Sequence, residues 1–274
     1  MHAFSFRGVK AAALACAISL ALGTLAQANP ILDTSGFSLA TLPANDDGFT
    51  SAIPIGFTIN FEGAQYTTLY VNNNGNVMFN NPSSQYSPGP IIGDSRPMLA
   101  PFFADVDTRG TGSGLVNYGT GMFNGHGAFA VNWPNVGYYA DHTDKLDNFQ
   151  LLIVDQGSGD FDAYFNYGQM QWETGDASGG HDGLGGDCAR SGLTNGSTFS
   201  LELPGSGVCG ALIDGGADAL STHSNDGVAG QFLFEVRNGS VAPPPSTVPE
   251  PASLLLLGSG LLGLAGPIKR RFIG

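Results

Sequence analysis

Two pairs of aspartates in this sequence have a spacing that could bind a metal ion. Asp105 and Asp107 end one predicted strand, and Asp160 and Asp162 begin another. Because alternate strand residues project to one face, both carboxylates of a pair are expected to point the same way. Such oxygens suit Ca²⁺, with loop carbonyls and water completing the shell. The alternatives are that one of the first pair binds Arg109 while the other caps the glycine-rich turn, and that the second pair is ordinary turn-to-strand chemistry.

Catalytic motifs are weak in the sequence. Paired carboxylates also serve glycosidases, but the sequence does not give their separation across a substrate. The histidines lack the His-Glu-x-x-His spacing of a zinc protease. No Gly-x-Ser-x-Gly nucleophile elbow occurs. We therefore expect a protein that is not an enzyme and that has no certain cofactor, with a secreted hydrolase as the weaker alternative.

Three aromatic residues are candidates for contact with a polysaccharide, namely Trp133, Tyr138 and Tyr139. Aromatic faces bind sugars well when they are exposed. The two tyrosines stand beside Asp141 in a predicted loop, which favours exposure. The alternative is that these rings pack in the core.

The first 28 residues predict a secretory signal peptide. Arg7 and Lys10 precede an apolar run from 11 to 25, and the run ends in Ala26-Gln27-Ala28. This order of basic, apolar and small residues is the one that export and signal peptidase require. Cleavage after Ala28 would make Asn29 the first residue of the mature protein.

The C-terminal end contains three successive segments. A proline-rich linker covers 242–251, an uncharged apolar segment covers 252–268, and the basic end covers 269–274. The apolar segment is at the lower limit for crossing a bilayer. The positive charges after it, on Lys269, Arg270 and Arg271, would hold that end in the cytoplasm.

Together with Val248, Pro249, Glu250 and Pro251, this arrangement resembles the PEP-CTERM sorting signal of Gram-negative bacteria. The resemblance implies processing near the Pro-Glu-Pro element by a membrane peptidase called exosortase. It also implies an association with bacteria that make exopolysaccharide. We expect the tail to hold the protein at the inner membrane, transiently or permanently.

The chain between these ends is strongly acidic. The whole sequence has 10 Lys and Arg against 23 Asp and Glu, and the ends take five of the basic residues and one acidic residue. Residues 29–248 therefore have five basic and 22 acidic side chains, a formal charge of −17. Such a surface repels phosphate backbones, so nucleic acid is not an expected partner. It favours solubility and divalent cations.

Two cysteines lie in the mature region, Cys188 and Cys209, 21 residues apart. The third, Cys16, would be lost with the signal peptide. An even pair in an oxidising compartment predicts a disulfide. The alternative of a zinc site lacks a second pair of ligands.

Short β-forming runs separated by glycine and asparagine turns predict a single all-β domain over 29–241. The Asn-Gly turn at 72–75 predicts a hairpin over 67–79. Residues 174–230 are glycine-rich and predict long loops with short β-like pieces at 197–203 and 208–213. Regular short strands favour an antiparallel, β-sandwich-like fold. The main predicted strands are 56–61, 67–71, 76–79, 98–103, 114–118, 128–133, 148–155, 161–167 and 231–237.

The order of these segments resembles the NIDO domain, the nidogen-type extracellular module. The residues that carry the resemblance are Tyr-Thr-x-Leu-Tyr-Val-Asn-x-Asn-Gly-Asn at 66–76, Met-Leu-Ala-Pro-Phe-Phe-Ala-Asp-Val-Asp at 98–107 and Gly-Asp-Phe-Asp-Ala-Tyr-Phe-Asn-Tyr at 159–167. The resemblance implies a noncatalytic module of matrix or adhesion proteins. We expect a structural or adhesive protein of the cell surface or biofilm matrix that binds extracellular polysaccharide or another matrix or surface protein. The alternative is a Ca²⁺-dependent carbohydrate-binding module.

Overall fold

The computed structural model of the chain describes residues 30–242. The predicted signal peptide, the linker beyond residue 242, the apolar segment and the basic end lie outside the described residues. Within residues 30–242, none of the helical structure is long and apolar enough to pass through a bilayer.

Strands account for nearly all the regular structure of the described residues. They are β1 (Ser38–Thr41), β2 (Ile53–Phe61), β3 (Ala64–Asn72), β4 (Asn76–Met78), β5 (Met98–Phe103), β6 (Val106–Asp107), β7 (Asn117–Phe123), β8 (His126–Tyr138), β9 (His142–Gly157), β10 (Asp160–Tyr167), β11 (Arg190–Thr194), β12 (Ser200–Glu202), β13 (Gln231–Arg237) and β14 (Ser240–Val241). A single 3₁₀ turn covers Asp176–Ser178 in this part of the chain.

The strands form two antiparallel sheets. The larger sheet has eight strands in the order β1-β7-β8-β9-β10-β13-β14, with β6 paired to β8. The other has six strands in the order β12-β11-β5-β4-β3-β2. Their inner faces share one apolar core, in which Phe102 of β5 meets Phe149 of β9 with ring centroids 5.4 Å apart. The predicted all-β, sandwich-like fold is therefore confirmed.

The hairpin predicted over 67–79 is also confirmed, since β3 and β4 pair from Asn72–Asn76 to Tyr70–Met78. Two predicted strands differ from the structure. Residues 114–116 precede β7, and the amide of Gly114 bonds to the carbonyl of Asn135, within the register shift that follows Trp133 in β8. Residues 208–213 form turns, in which the amide of Ala211 bonds to the carbonyl of Val208, so the β-like piece predicted there is wrong.

The glycine-rich region after β10 contains only β11, β12 and the 3₁₀ turn before β13 begins. The Cys188–Cys209 disulfide crosses it and is confirmed, with Cα atoms 5.3 Å apart. Such a distance is ordinary for a disulfide. This region has few ladder hydrogen bonds to stabilise it. The cross-link adds stability by limiting the conformational freedom of the unfolded chain.

Reduction of the Cys188–Cys209 bond should therefore lower the melting temperature of the domain. Opening a loop with a sequence separation of 21 residues removes about 3 kcal/mol of stabilisation. Thermal melts followed by circular dichroism, with and without reductant, measure the effect. The Cys188→Ser/Cys209→Ser double variant is the control, and it should melt at the lower temperature in both buffers. Equal melts of the native protein with and without reductant would contradict this role.

Candidate functional site

One end of the sandwich is organised by the asparagine-rich turn between β3 and β4. Asn73 in this turn is fully buried. Its side-chain amide donates to the backbone carbonyls of Asp46 at 2.7 Å and of Val106 at 2.6 Å, with a longer contact of 3.2 Å to Asn45. These bonds attach the loop between β1 and β2 to β6. The sequence thus brings together segments that are far apart along the chain.

Gly75 allows the turn to lie against the neighbouring strand. Its carbonyl accepts the amide of Phe102 at 3.1 Å, and its φ is +71°. A Cβ at this position would lie 1.7 Å from the Phe102 carbonyl oxygen. No side chain fits there, and the left-handed backbone also favours glycine.

Three carboxylates converge beside this turn. Asp46 and Asp47 come from the loop between β1 and β2, and Asp105 comes from the link between β5 and β6. Each offers an oxygen, and the three oxygens lie within 4.8 Å of one another. Asn74 donates to Asp47 Oδ1 at 2.9 Å, and the Ser178 hydroxyl donates to Asp105 Oδ2 at 3.3 Å. We call Asp46, Asp47 and Asp105 the acidic cluster.

Two members of the acidic cluster have raised pKa values. Burial, followed by the charges of Asp46 and Asp47, raises the pKa of Asp105 to about 7. Burial, followed by the charges of Asp47 and Asp107, raises the pKa of Asp46 to about 6. Both effects disfavour the ionised form, as expected for like charges in a partly desolvated place.

Asp107 has a different environment from Asp105. Arg109 donates to both of its oxygens, at 2.9 and 2.6 Å. Burial raises the pKa of Asp107, but the bonds from Arg109 outweigh it and hold the pKa below its ordinary value. Arg109 also lies 3.2 Å from Asp46 and 3.6 Å from Asp141. The alternative that one carboxylate of this pair binds Arg109 is the arrangement observed.

Asp160 and Asp162 do not join the acidic cluster. Asp162 lies 2.6 Å from Arg237 and accepts a hydrogen bond from the side-chain amide of Gln156 at 2.7 Å. Asp160 accepts the backbone amide of Asn238 at 2.7 Å. Within residues 30–242 they belong to no group of three or more potential metal ligands. The arrangement is turn-to-strand chemistry, as the alternative interpretation had it.

A second group of potential metal ligands consists of Glu173, Cys188 and Cys209. Its cysteines are joined in the disulfide, so no thiolate is free to bind a metal. Glu173 instead accepts the backbone amide of Gly210 with both oxygens, each at 2.8 Å. This group is structural.

The aromatic candidates are mostly buried. Trp133 has 0% and Tyr138 has 1% of its surface exposed, so the prediction that these two rings contact a glycan is wrong. The ring N–H of Trp133 donates to the backbone carbonyl of Asn73 at 2.9 Å. Tyr138 donates to Asp144 at 2.9 Å. Tyr139 is half-buried, with the Arg109 guanidinium 5.8 Å from its ring centre, and its contact with a glycan stays a prediction.

Sequence reasoning missed Asp46, Asp47 and the structural roles of Asn73 and Asn74. The available signals were the Asn-Asp-Asp-Gly turn at 45–48 and the run of three asparagines at 72–74. Asn45 Oδ1 accepts the amide of Gly48 at 2.7 Å, which closes that turn. Neither signal says that the two turns meet.

The described residues thus form an antiparallel β-sandwich in which the loops at one end are tied together by buried polar groups. A family model described as NIDO related matches residues 24–208, and the PEP-CTERM protein-sorting motif matches residues 247–270. The chain therefore belongs to the NIDO-related family. It is a secreted or cell-surface protein that carries an exosortase sorting motif.

Three animal proteins are similar to this chain. Alpha-tectorin of Mus musculus is 33% identical over an alignment of 225 residues that covers 73% of this chain and 10% of the relative. Nidogen of Drosophila melanogaster is 31% identical over an alignment of 230 residues that covers 74% of this chain and 16% of the relative. Dendrite extension defective protein 1 of Caenorhabditis elegans is 25% identical over an alignment of 234 residues that covers 76% of this chain and 19% of the relative. The matched part is thus a fifth or less of each relative. No solved structure matches the chain significantly.

Asn73→Ala should destabilise the domain by about 1–3 kcal/mol, because it leaves buried carbonyls of the loop and of β6 without donors. Chemical denaturation followed by tryptophan fluorescence measures the loss. Asn80→Ala is the matched control, since Asn80 is exposed, and it should change the free energy of unfolding very little. Equal stability of the two variants would contradict the role given to Asn73.

Proposed function

We propose that this protein is a noncatalytic structural or adhesive module of the extracellular matrix, which binds matrix polysaccharide or another surface protein. The observation that supports this most is the combination of a NIDO-related domain with a sorting motif in one chain. Such a chain is delivered to the cell surface, where a binding module is useful without turnover. The exopolysaccharide matrix of a Gram-negative biofilm is the proposed setting.

The acidic cluster supports binding or structure better than hydrolysis. A glycosidase places its two carboxyl groups on either side of the scissile bond. Asp105 has only 1% of its surface exposed and is covered by Ser178, so a sugar ring has no access to both sides of it. Asp107 is held by Arg109. The secreted hydrolase is accordingly the weaker alternative.

The ends of the chain supply the proposed route to the surface. Signal peptidase would act after Ala28, and exosortase would act near Pro249, Glu250 and Pro251. Before that second step, residues 252–268 would anchor the protein in the inner membrane, with Lys269, Arg270 and Arg271 on the cytoplasmic side.

Deletion of residues 249–274 should move the protein from the membrane fraction to the soluble periplasmic or extracellular fraction, because the apolar segment and its basic stop are lost. Fractionation and immunoblotting of the host measure the distribution. Deletion of residues 272–274 alone is the control, since it keeps both features and should leave the distribution unchanged. Continued membrane retention after the larger deletion would refute anchoring by the tail.

Residues 29–245 should co-sediment with the insoluble extracellular polymer of the host. Binding that survives EDTA supports a metal-independent matrix module, whereas binding that returns only with calcium supports the carbohydrate-binding alternative. Release of soluble sugar during the incubation would instead favour the hydrolase. Absence of binding in either buffer would contradict the polysaccharide as partner and direct the search to a surface protein or a second copy of the chain.

A further inference from the structure

We propose that Asp46, Asp47 and Asp105 form a calcium site that Asn74 helps to complete. This site differs from the two aspartate pairs that sequence spacing predicts. It also goes beyond the proposed function, because binding of the ion would not depend on any matrix partner. Three carboxylates from two separate segments, with oxygens within 4.8 Å of one another, are the starting observation.

Buried polar atoms that have no partner give a second, independent observation. Asn74 is fully buried, its amide is directed at Asp47 with Nδ2 2.9 Å from Oδ1, and its own Oδ1 has no hydrogen-bond partner. Asp46 Oδ1 is likewise buried without a hydrogen-bond partner. An unsatisfied buried polar atom carries its full desolvation penalty. Oxygens are also the atoms that a hard cation requires, so a bound ion would satisfy them.

The balance of charge points to the same ligand. Arg109 is shared between Asp46, Asp107 and Asp141. Within the described part of the chain, neither Asp47 nor Asp105 forms an ion pair with a basic side chain. One guanidinium therefore cannot neutralise the acidic cluster. A divalent cation among three carboxylates would leave a residual charge of about −1, which reduces the mutual repulsion.

The ligand set favours calcium over other metals. Every donor is an oxygen, which excludes the soft metals that prefer thiolate. The donors come from loops of irregular geometry, and one carboxylate is 1% exposed while the other two are half-buried. Calcium accepts six to eight oxygens in flexible arrangements, whereas magnesium requires a nearly ideal octahedron. Water and backbone carbonyls at the half-buried side would complete the shell.

Bound calcium would link the loop between β1 and β2, the β3–β4 turn and the β5–β6 link. These are the segments that the Asn73 amide already ties together through backbone carbonyls. The ion would add a connection through side chains at the same place. We therefore expect calcium to stabilise the folded domain.

The test is a calcium titration of the EDTA-treated full chain in mild detergent, followed by isothermal calorimetry and by thermal melting. We expect a Kd of about 10⁻⁴ M, the range of extracellular calcium modules. In 10 mM CaCl₂ the melting temperature should rise by about 5–10 °C. Absence of heat and of a shift up to 10 mM would overturn the proposal. An equal response to MgCl₂ would overturn the assignment to calcium.

Matched variants separate a ligand from a merely structural carboxylate. Asp105→Asn and Asp47→Asn should each weaken calcium binding at least tenfold. In EDTA both should melt at or above the wild-type temperature, because each removes a repelling charge. Asp187→Asn, at an exposed carboxylate on the glycine-rich loop, should keep the wild-type response. If Asp105→Asn does not fold, Asp47→Asn decides alone, since Asp47 is only half-buried. Variants that respond to calcium as the wild type does would overturn the site.

Discussion

The arrangement of the loops at one end of this sandwich depends on hydrogen-bond donors for buried backbone carbonyls. Strand carbonyls find donors in the ladder, but those of a loop packed against a sheet do not. Asn73 supplies them, because its amide bonds to the carbonyls of Asp46 and Val106 from a fully buried position. The backbone carbonyl of Asn73 accepts a hydrogen bond from the ring N–H of Trp133, so the same residue is attached to the core. Close approach of the turn to β5 in turn requires Gly75.

The crowding of carboxylates follows from this backbone arrangement. Once the carbonyl of Asp46 is fixed by Asn73, the side chains of Asp46 and Asp47 come near Asp105. Arg109 relieves part of the repulsion, chiefly at Asp107, where it makes two bonds. Burial, together with the remaining negative charge, raises the pKa values of Asp46 and Asp105. The packing of the loop and the electrostatics of the acidic cluster are therefore coupled. Asparagine amides fix the loop, and Arg109 offsets part of the negative charge.

The sequence predicted what depends on local pattern. Alternating apolar residues and the Asn-Gly turn were sufficient for the sheets and for the β3–β4 hairpin, because side-chain period and turn type are properties of neighbouring residues. The disulfide followed from the count of cysteines. Core packing of Tyr138 was only the alternative interpretation, because β8 continues to Tyr138 through register shifts after Trp133, beyond the predicted end of the strand. The meeting of Asp46 with Asp105 was missed because long-range loop contacts leave no periodic signal.

The acidic composition has a structural use in the glycine-rich region as well. Asp147 has no exposed surface, and its Oδ1 accepts the backbone amides of Gln171 at 2.5 Å and Trp172 at 3.2 Å. Burial raises the pKa of this carboxyl well above its ordinary value, although the two bonds favour the ionised form. Glu173 binds the amide of Gly210, the neighbour of the disulfide residue Cys209. In this region, where strands are few, oxygens of buried carboxyl groups accept hydrogen bonds from backbone amides, as carbonyl oxygens do in a strand ladder. The acidic side chains of this chain therefore include groups that build the fold, in addition to those that keep its surface soluble.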